Sequence, residues 1–159
     1  MRKILELLDK DCRLTANDIA SMLEMPVDEV EEKIRTLEDE KIILGYRPII
    51  DWEKVDGERM SALIEIHVAP QQGQGFERVA RRISQYDEVE SVYLMSGGYD
   101  LFVSIRGKTL KEVALFVANK LAPLKEVTAT ATHFVLQKFK KHGVKFEKKE
   151  EGQERLTVL

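Results

Sequence analysis

The order of apolar patterns between residues 60 and 136 constrains the fold more than any other feature of the chain. Four segments have the composition and patterning of strands, and two segments between them carry apolar residues at helical spacing. The predicted strands are 60–68, 89–95, 101–106 and 127–136, and the predicted helices start near Phe76 and at Thr109. The order βαββαβ is that of the ferredoxin-like fold, in which both helices cover one face of a four-stranded sheet.

The other face of that sheet has no helix to cover it. Apolar residues nevertheless lie on both faces of two strands: Leu101, Val103 and Ile105 oppose Phe102, and Ala62, Ile64 and Ile66 oppose Leu63. An uncovered apolar face usually marks a protein contact. The pattern therefore predicts a homodimer formed through this domain.

The second predicted helix has clear start and stop signals. Thr109 and Glu112 form a capping box, and Pro123 ends the helix. A uniform helical spacing predicts five inward-facing residues: Leu110, Val113, Ala114, Val117 and Leu121.

Residues 1–50 predict a winged helix-turn-helix domain. An apolar stripe from Ile4 to Leu8 indicates a first helix, and Thr15 with Asp18 forms a capping box for a second. Pro26 is placed to be the first residue of a third helix, and Ile42–Ile50 has the composition of a strand. Small three-helix bundles share this pattern, so it favours DNA binding without requiring it.

Charge supports a division of the chain near residue 55. The first 55 residues contain nine Lys and Arg and fourteen Asp and Glu, whereas the remainder carries a small positive excess. We predict a domain at 1–50, a linker at 51–59, a second domain at 60–140 and a charged tail at 141–159. The chain has no apolar run long enough for a membrane span and only one cysteine, Cys12. These features predict a soluble, cytoplasmic protein without a disulfide framework and without a membrane partner.

The chain resembles the Lrp/AsnC, or feast/famine, transcription regulators. The resemblance covers roughly residues 1–140 and rests on the order and spacing of several loose motifs: 11–15, 19–20, 34–38, 42–46, 92–101 and 130–136. It implies an α+β protein with an N-terminal winged helix-turn-helix followed by a ferredoxin-like (RAM- or ACT-like) domain. It also implies binding to double-stranded operator DNA, dimerisation or higher assembly through the second domain, and an amino acid or similar metabolite as effector.

The resemblance places the third helix in the major groove of DNA. The candidate DNA-binding residues are Asp28, Glu29, Glu32, Lys33, Arg35 and Arg47. Carboxylates repel phosphates, although an acid can accept a hydrogen bond from cytosine N4. Alternatively, Asp28 and Glu29 are there because acids favour a helix N-terminus. Positive charge would come from Lys3, Arg13, Lys33, Arg35, Lys41 and Arg47.

The turn between the second and third strands of the sheet is the candidate effector site. Adjacent glycines leave backbone N–H groups open to a carboxylate, and an aspartate beside them can accept from an amine. The candidate residues are Ser96, Gly97, Gly98, Tyr99 and Asp100. The resemblance implies that the final strand of a partner subunit lies nearby, which adds the hydroxyls of Thr130 and Thr132. The alternative is that Gly97 and Gly98 make a hairpin that Asp100 caps, and that the threonines are strand formers.

Neither catalysis nor a cofactor is expected. His67, His133 and His142 lack metal-ligand spacing, so no metal site is predicted. Two alternatives to a DNA-binding regulator remain. The acidic third helix would suit a ligand- or protein-interaction module that has lost DNA contact, and relatives of this architecture look able to act on tetrapyrroles as enzymes.

Overall fold

A computed structural model describes residues 1–56, 60–69, 75–107 and 109–146. The chain divides into two compact units, Met1–Ile50 and Asp51–Leu159. Residues 57–59 of the predicted linker and 147–159 of the predicted tail lie outside the described residues. None of the helices in the described part is long and apolar enough to cross a membrane.

The first unit contains the three predicted helices. They are α1 (Arg2–Lys10), α2 (Ala16–Leu23) and α3 (Val27–Asp39), and buried residues of all three form one core: Ile4, Leu8, Ile19, Ala20 and Val30. The predicted capping box of α2 is confirmed. The backbone N–H of Asp18 donates to Thr15 Oγ1 at 3.2 Å, and that of Thr15 donates to Asp18 Oδ2 at 2.8 Å. Hydrogen bonds from the Thr15 hydroxyl and backbone lower the pKa of Asp18.

Helix α3 starts one residue later than predicted. Pro26 is the residue before the helix, with φ −61° and ψ 140°, and Val27 is the first helical residue. A proline has no N–H to lose and a φ that suits a helix start, so it is accepted both as the first helical residue and as the residue before it. The extended ψ of Pro26 places it before the helix.

The predicted strand at Ile42–Ile50 does not form. The backbone N–H groups of Ile42 and Ile43 both donate to the carbonyl of Leu37, at 2.9 and 3.0 Å, and so close the C-terminus of α3. Beyond them the chain continues without ladder hydrogen bonds, and Leu44 is 87% exposed. A strand needs a neighbouring strand to satisfy its backbone, and this unit places none beside the segment.

The second unit confirms the predicted βαββαβ order. A short helix, α4 (Glu53–Asp56), precedes it. The sheet strands are β1 (Met60–Val68), β2 (Val89–Leu94), β3 (Leu101–Gly107) and β4 (Val127–Phe134), with α5 (Gly75–Ile83) after β1 and α6 (Leu110–Phe116) after β3. All neighbours are antiparallel, in the order β2-β3-β1-β4. The core includes Ile64, Ile66, Val79, Ile83 and Val103.

The inward face of α6 differs from the prediction. Val113 and Leu121 are buried as predicted, but Leu110 is 55% exposed, Ala114 is exposed, and Phe116 is buried instead. After α6 the chain continues as a π-helix, Val117–Leu121, in which the N–H of Ala122 bonds to the carbonyl of Val117. A π-turn holds one more residue than an α-turn, so a uniform 3.6-residue spacing does not carry across it.

The uncovered face of the sheet mixes apolar and polar residues. Residues in register across antiparallel strands share a face. One row across all four strands is therefore Tyr93, Phe102, Glu65 and Ala131, and the next is Ser91, Ser104, Leu63 and His133. The aromatic rings of Phe102 and Tyr99 lie 6.0 Å apart. His133 Nε2 lies 3.4 Å from Glu65 Oε1.

The described part of the chain after β4 does not extend that strand. Pairing with β1 continues only as far as Val135, whose N–H donates to the carbonyl of Ser61 at 2.9 Å. A separate hairpin follows, with β5 (Lys140–Lys141) and β6 (Val144–Lys145). His142 and Gly143 join them with φ values of 47° and 80°. Two residues of positive φ are what a tight two-residue hairpin turn requires.

Candidate functional site

The exposed face of α3 carries the predicted DNA-contacting residues. Val30 and Leu37 are buried, with Ile34 partly buried beside them, and this apolar stripe fixes which side of the helix faces the core. The opposite side presents exposed polar residues: Asp28, Glu29, Glu31, Glu32 and Arg35. The structure thus places five of the six candidates, Lys33 included, along one helix.

Of the six candidate cations of the first unit, some form an ion pair with a nearby carboxylate and others do not. Lys33 pairs with Glu29 one turn earlier on α3. Arg13 pairs with Asp11, with Nη2 and Oδ2 2.9 Å apart, and its side-chain hydrogen bonds lower the pKa of that carboxyl to about 2. Within the described ranges, the other four candidate cations have no ion-pair partner: Lys3, Arg35, Lys41 and Arg47. These four carry positive charge that is not already neutralised.

Arg47 lies on the exposed segment that follows α3, outside the helix. The chain between them is partly fixed by Tyr46, whose hydroxyl donates to Glu38 Oε1 at 2.9 Å. Burial, followed by this hydrogen bond, raises the pKa of Tyr46. The bond ties the start of the exposed segment to the last turn of α3.

Asp100 closes the turn between β2 and β3 by holding the end of β1. Its backbone N–H donates to the carbonyl of Ile66 at 3.0 Å, and its Oδ2 accepts from the backbone N–H of Val68 at 2.8 Å. Its carbonyl accepts from the N–H of Met95 at 2.8 Å. The other carboxylate oxygen, Oδ1, accepts no hydrogen bond within the described residues. The structure therefore gives Asp100 a capping role and leaves one of its oxygens for another donor.

The two glycines leave the turn open. Gly97 has φ +147°, and no heavy atom lies within 4 Å of the position that a Cβ would occupy at Gly97 or Gly98. Ser96 is exposed and Tyr99 is half-buried. The backbone of the turn is thus accessible to a small anion.

Thr130 and Thr132 do not meet the turn of their own chain. They pair with Ile66 and Ile64 of β1, so they lie half-buried on the helix-covered face of the edge strand β4. Asp100 lies beyond the opposite side of β1, two strand spacings or ~10 Å from Thr130. Only a second copy of the chain can bring a threonine of β4 to the turn.

A second pair of charged residues is not evident from the sequence. Glu88 before β2 and Lys120 in the π-helix form an ion pair, with Nζ and Oε1 2.6 Å apart. No local motif connects them, because they are separated by 32 residues. Their pairing is visible only in the folded unit.

Each of the two units matches a known protein family. A winged helix-turn-helix DNA-binding model matches residues 1–43, and an Lrp/AsnC ligand-binding domain model matches residues 61–144. An uncharacterized HTH-type transcriptional regulator of Bacillus subtilis, YugG, is 51% identical over 146 residues, or 91% of this chain and 88% of that protein.

Solved structures share the fold. The leucine response regulatory protein of Mycobacterium tuberculosis matches with TM-score 0.76 and 23% identity, over 89% of this chain and 93% of that one. A transcriptional regulator of Neisseria meningitidis, solved as an L-Met complex, matches with TM-score 0.71 and 21% identity. That match covers 87% of this chain and 89% of the other. The likeness extends through both units of the chain.

Proposed function

This chain belongs to the Lrp/AsnC family of helix-turn-helix transcriptional regulators, and from that membership we propose which of its residues contact DNA and effector. As a member it binds DNA through its first unit and a small-molecule effector through its second. We assign these roles to the predicted domains 1–50 and 60–140, joined by the linker 51–59 and followed by the tail 141–159. Because its partner is DNA, we place the protein in the cytoplasm.

We propose that α3 enters the major groove of operator DNA. The observation that carries this is the exposed face of α3, which presents Lys33 and Arg35 beside Asp28, Glu29 and Glu32 while Val30 fixes the opposite side in the core. Arg35 and Arg47 would meet phosphates or guanine, and one of the acids would accept from cytosine N4. Because each cation–phosphate contact releases counterions, this binding depends strongly on salt.

The test is binding of the full chain to the DNA upstream of its own gene, by fluorescence anisotropy at ~50 and ~200 mM salt. We expect tight binding at the lower salt and a fall of a hundredfold or more at the higher salt, as for about four or more phosphate contacts. An unrelated duplex of the same length is the control. No binding to either duplex at ~50 mM salt would instead support the interaction module without DNA contact. The four exposed acids in the first two turns of α3 favour that alternative.

We propose that the effector is an amino acid bound at residues 96–100. The open N–H groups of Gly97 and Gly98 would hold its carboxylate, and Asp100 Oδ1 would accept from its ammonium. Thr130 and Thr132 of the partner subunit's β4 would complete the site in a homodimer. The Neisseria regulator whose structure is an L-Met complex has the same fold and supports this class of ligand.

The D100N variant separates the two roles of Asp100. An asparagine oxygen can still accept from the N–H of Val68, so the turn keeps its hydrogen bond, while the negative charge is lost. We expect any amino-acid-induced rise in melting temperature to disappear, with the dimer intact. The measurement is a thermal-shift screen of the twenty amino acids, with D100A as a second variant that loses both roles. A rise in D100N equal to that of the wild type would place the effector elsewhere.

We further propose that this member acts by binding and not by catalysis. Its family consists of transcriptional regulators. In the described ranges, no three His, Cys, Asp or Glu side chains are grouped so as to hold a metal ion.

A further inference from the structure

The hairpin of β5 and β6 is the most basic part of the second unit. Residues 127–146 contain no Asp or Glu, and their lysines are Lys138, Lys140, Lys141 and Lys145. Both hairpin strands and the turn between them are exposed. A hydrogen bond of 2.9 Å from the N–H of Phe146 to the carbonyl of Phe139 extends the hairpin beyond its two ladder pairs. The hairpin is therefore an ordered, solvent-facing element with a concentrated positive charge.

The two faces of this hairpin carry different lysines. Successive residues of a strand point to opposite faces, and residues directly opposite each other on paired strands share a face. Lys140 pairs with Lys145, and Lys141 pairs with Val144. One face therefore carries Lys140 and Lys145 side by side, and the other face carries Lys141 with Val144.

Ion pairs attach the hairpin to the rest of the second unit through the lysines outside the Lys140 and Lys145 pair. Lys141 Nζ lies 3.8 Å from Glu90 Oε2 on β2. Ahead of the hairpin, Lys138 Nζ lies 2.9 Å from Glu53 Oε1 on α4. These two lysines are already neutralised by carboxylates of their own chain.

Lys140 and Lys145 are not neutralised in this way. Within the described ranges neither of them forms an ion pair, and both are exposed. Directly opposite residues have Cβ atoms ~5 Å apart, and like charges at such positions destabilise the strand pair. An anion bound by both ammonium groups would replace this repulsion with attraction. The face thus fits a partner that presents closely spaced negative charges.

We propose that the face carrying Lys140 and Lys145 is a second DNA-contacting surface, which binds phosphates of the operator in addition to the contacts of α3. The inference rests on the DNA binding proposed above. Duplex DNA carries one negative charge per ~1.7 Å of helix axis, which is the dense array of anions that this face fits. Lysine contacts to phosphate position a protein without reading bases. The hairpin therefore raises the affinity for every DNA sequence alike.

The charge of the first unit gives this surface a purpose. In the first 55 residues fourteen Asp and Glu outnumber nine Lys and Arg, and α3 presents four exposed acids in its first two turns. Cations that neutralise phosphates supply much of the affinity for DNA. A basic surface on the second unit would supply phosphate contacts that the acidic first unit provides sparsely.

The test is the salt dependence of DNA binding by the full-length K140A/K145A protein, the hairpin variant. Fluorescence anisotropy is measured over a series of salt concentrations with the DNA upstream of its own gene and with an unrelated duplex. Two lost phosphate contacts lower the slope of log affinity against log salt by ~1.8, so the loss at ~0.1 M salt is on the order of fiftyfold. We expect this loss for both duplexes. The control variant, K111A/K125A, removes two exposed lysines and the same net charge from elsewhere in the second unit, and we expect it to keep the wild-type slope.

Two further measurements separate a phosphate contact from a structural role. The hairpin variant loses a repulsive pair, so its melting temperature is expected to equal or exceed that of the wild type, and its mass in sedimentation velocity is expected to be unchanged. K140R/K145R keeps both charges and is expected to keep the wild-type slope. A lower melting temperature or a smaller mass, accompanied by the loss of affinity, would assign the two lysines to folding or assembly and overturn the proposal.

Failure of this proposal is distinguishable from failure of the proposed DNA binding. A wild-type chain that binds DNA, with an unchanged slope in the hairpin variant, would overturn the hairpin contact alone. Equal losses in the hairpin and control variants would reflect net charge and would also overturn it. A wild-type chain that binds neither duplex at ~50 mM salt would overturn both proposals. Binding to phosphatidylglycerol vesicles that the hairpin variant loses, beside unchanged DNA binding, would make an anionic membrane surface the partner instead of DNA.

Discussion

The F102K variant is expected to be a monomer and to lose DNA affinity by about a hundredfold or more, because two linked half-site contacts become one. Phe102 lies on the uncovered face of the sheet, in the row of Tyr93, Glu65 and Ala131. We propose that this face meets its copy in the homodimer. A lysine ammonium at its centre would have to be desolvated, which costs far more than a phenyl ring does.

The fold itself is expected to tolerate this substitution. Phe102 is directly opposite Glu65 on β1, so a lysine there gains an opposite charge across the strand pair. A glutamate at the same position would face Glu65 with like charge and weaken the sheet, which is why lysine is the cleaner test.

Sedimentation velocity measures the mass of F102K, and anisotropy measures its DNA affinity. L110K is the matched control, since it places the same charge on an exposed apolar position of α6. F102K that sediments as a dimer with wild-type DNA affinity would contradict assembly through this face. Loss of the dimer in L110K as well would point to a general effect of added charge.

The elements that sequence patterns predicted are those whose burial alternates at a fixed period. In β1, Ala62, Ile64, Ile66 and Val68 are buried and the residues between them are not, which is the period of two that predicts a strand. The start of α2 could be predicted from Thr15 and Asp18, because a capping box is formed within four consecutive residues.

Two errors arose where the residue pattern does not show the contact that determines the structure. The π-turn at Val117–Leu121 adds one residue to a turn, and the sequence shows no signal for this beside an otherwise regular apolar spacing. At Ile42–Ile50 the composition favours a strand, but strand formation depends on a partner that residues 1–50 do not supply.

In the candidate site too, features set by a periodic pattern could be predicted, and contacts between residues distant in sequence could not. That α3 presents acids and Lys33 outward followed from its amphipathic pattern, because Val30 and Leu37 fix the buried side. The bond between Asp100 and the N–H of Val68 joins residues 32 apart, so the sequence could suggest a cap for Asp100 without naming what it caps. The residue roles in DNA and effector binding stay predictions.

The K33A/R35A variant is expected to bind every DNA sequence more weakly and with a smaller salt dependence. Each lost phosphate contact lowers the slope of log affinity against log salt by ~0.9, so two contacts lower it by ~1.8. At ~0.1 M salt this corresponds to a loss in affinity on the order of fiftyfold. Removing Lys33 also frees Glu29 from its ion pair, which adds repulsion in the same direction.

Anisotropy across four salt concentrations gives the slope, with the upstream DNA and an unrelated duplex. R81A/K111A is the control, because it removes two exposed cations and the same net charge from the second unit. If the two double variants lose the same affinity, the effect reflects the net charge of the chain and not contacts made by α3. A slope unchanged from the wild type in K33A/R35A would remove α3 from the phosphate backbone. The DNA contacts of the first unit would then have to come from its other candidate cations, of which Lys3, Lys41 and Arg47 have no ion-pair partner in the described part of the chain.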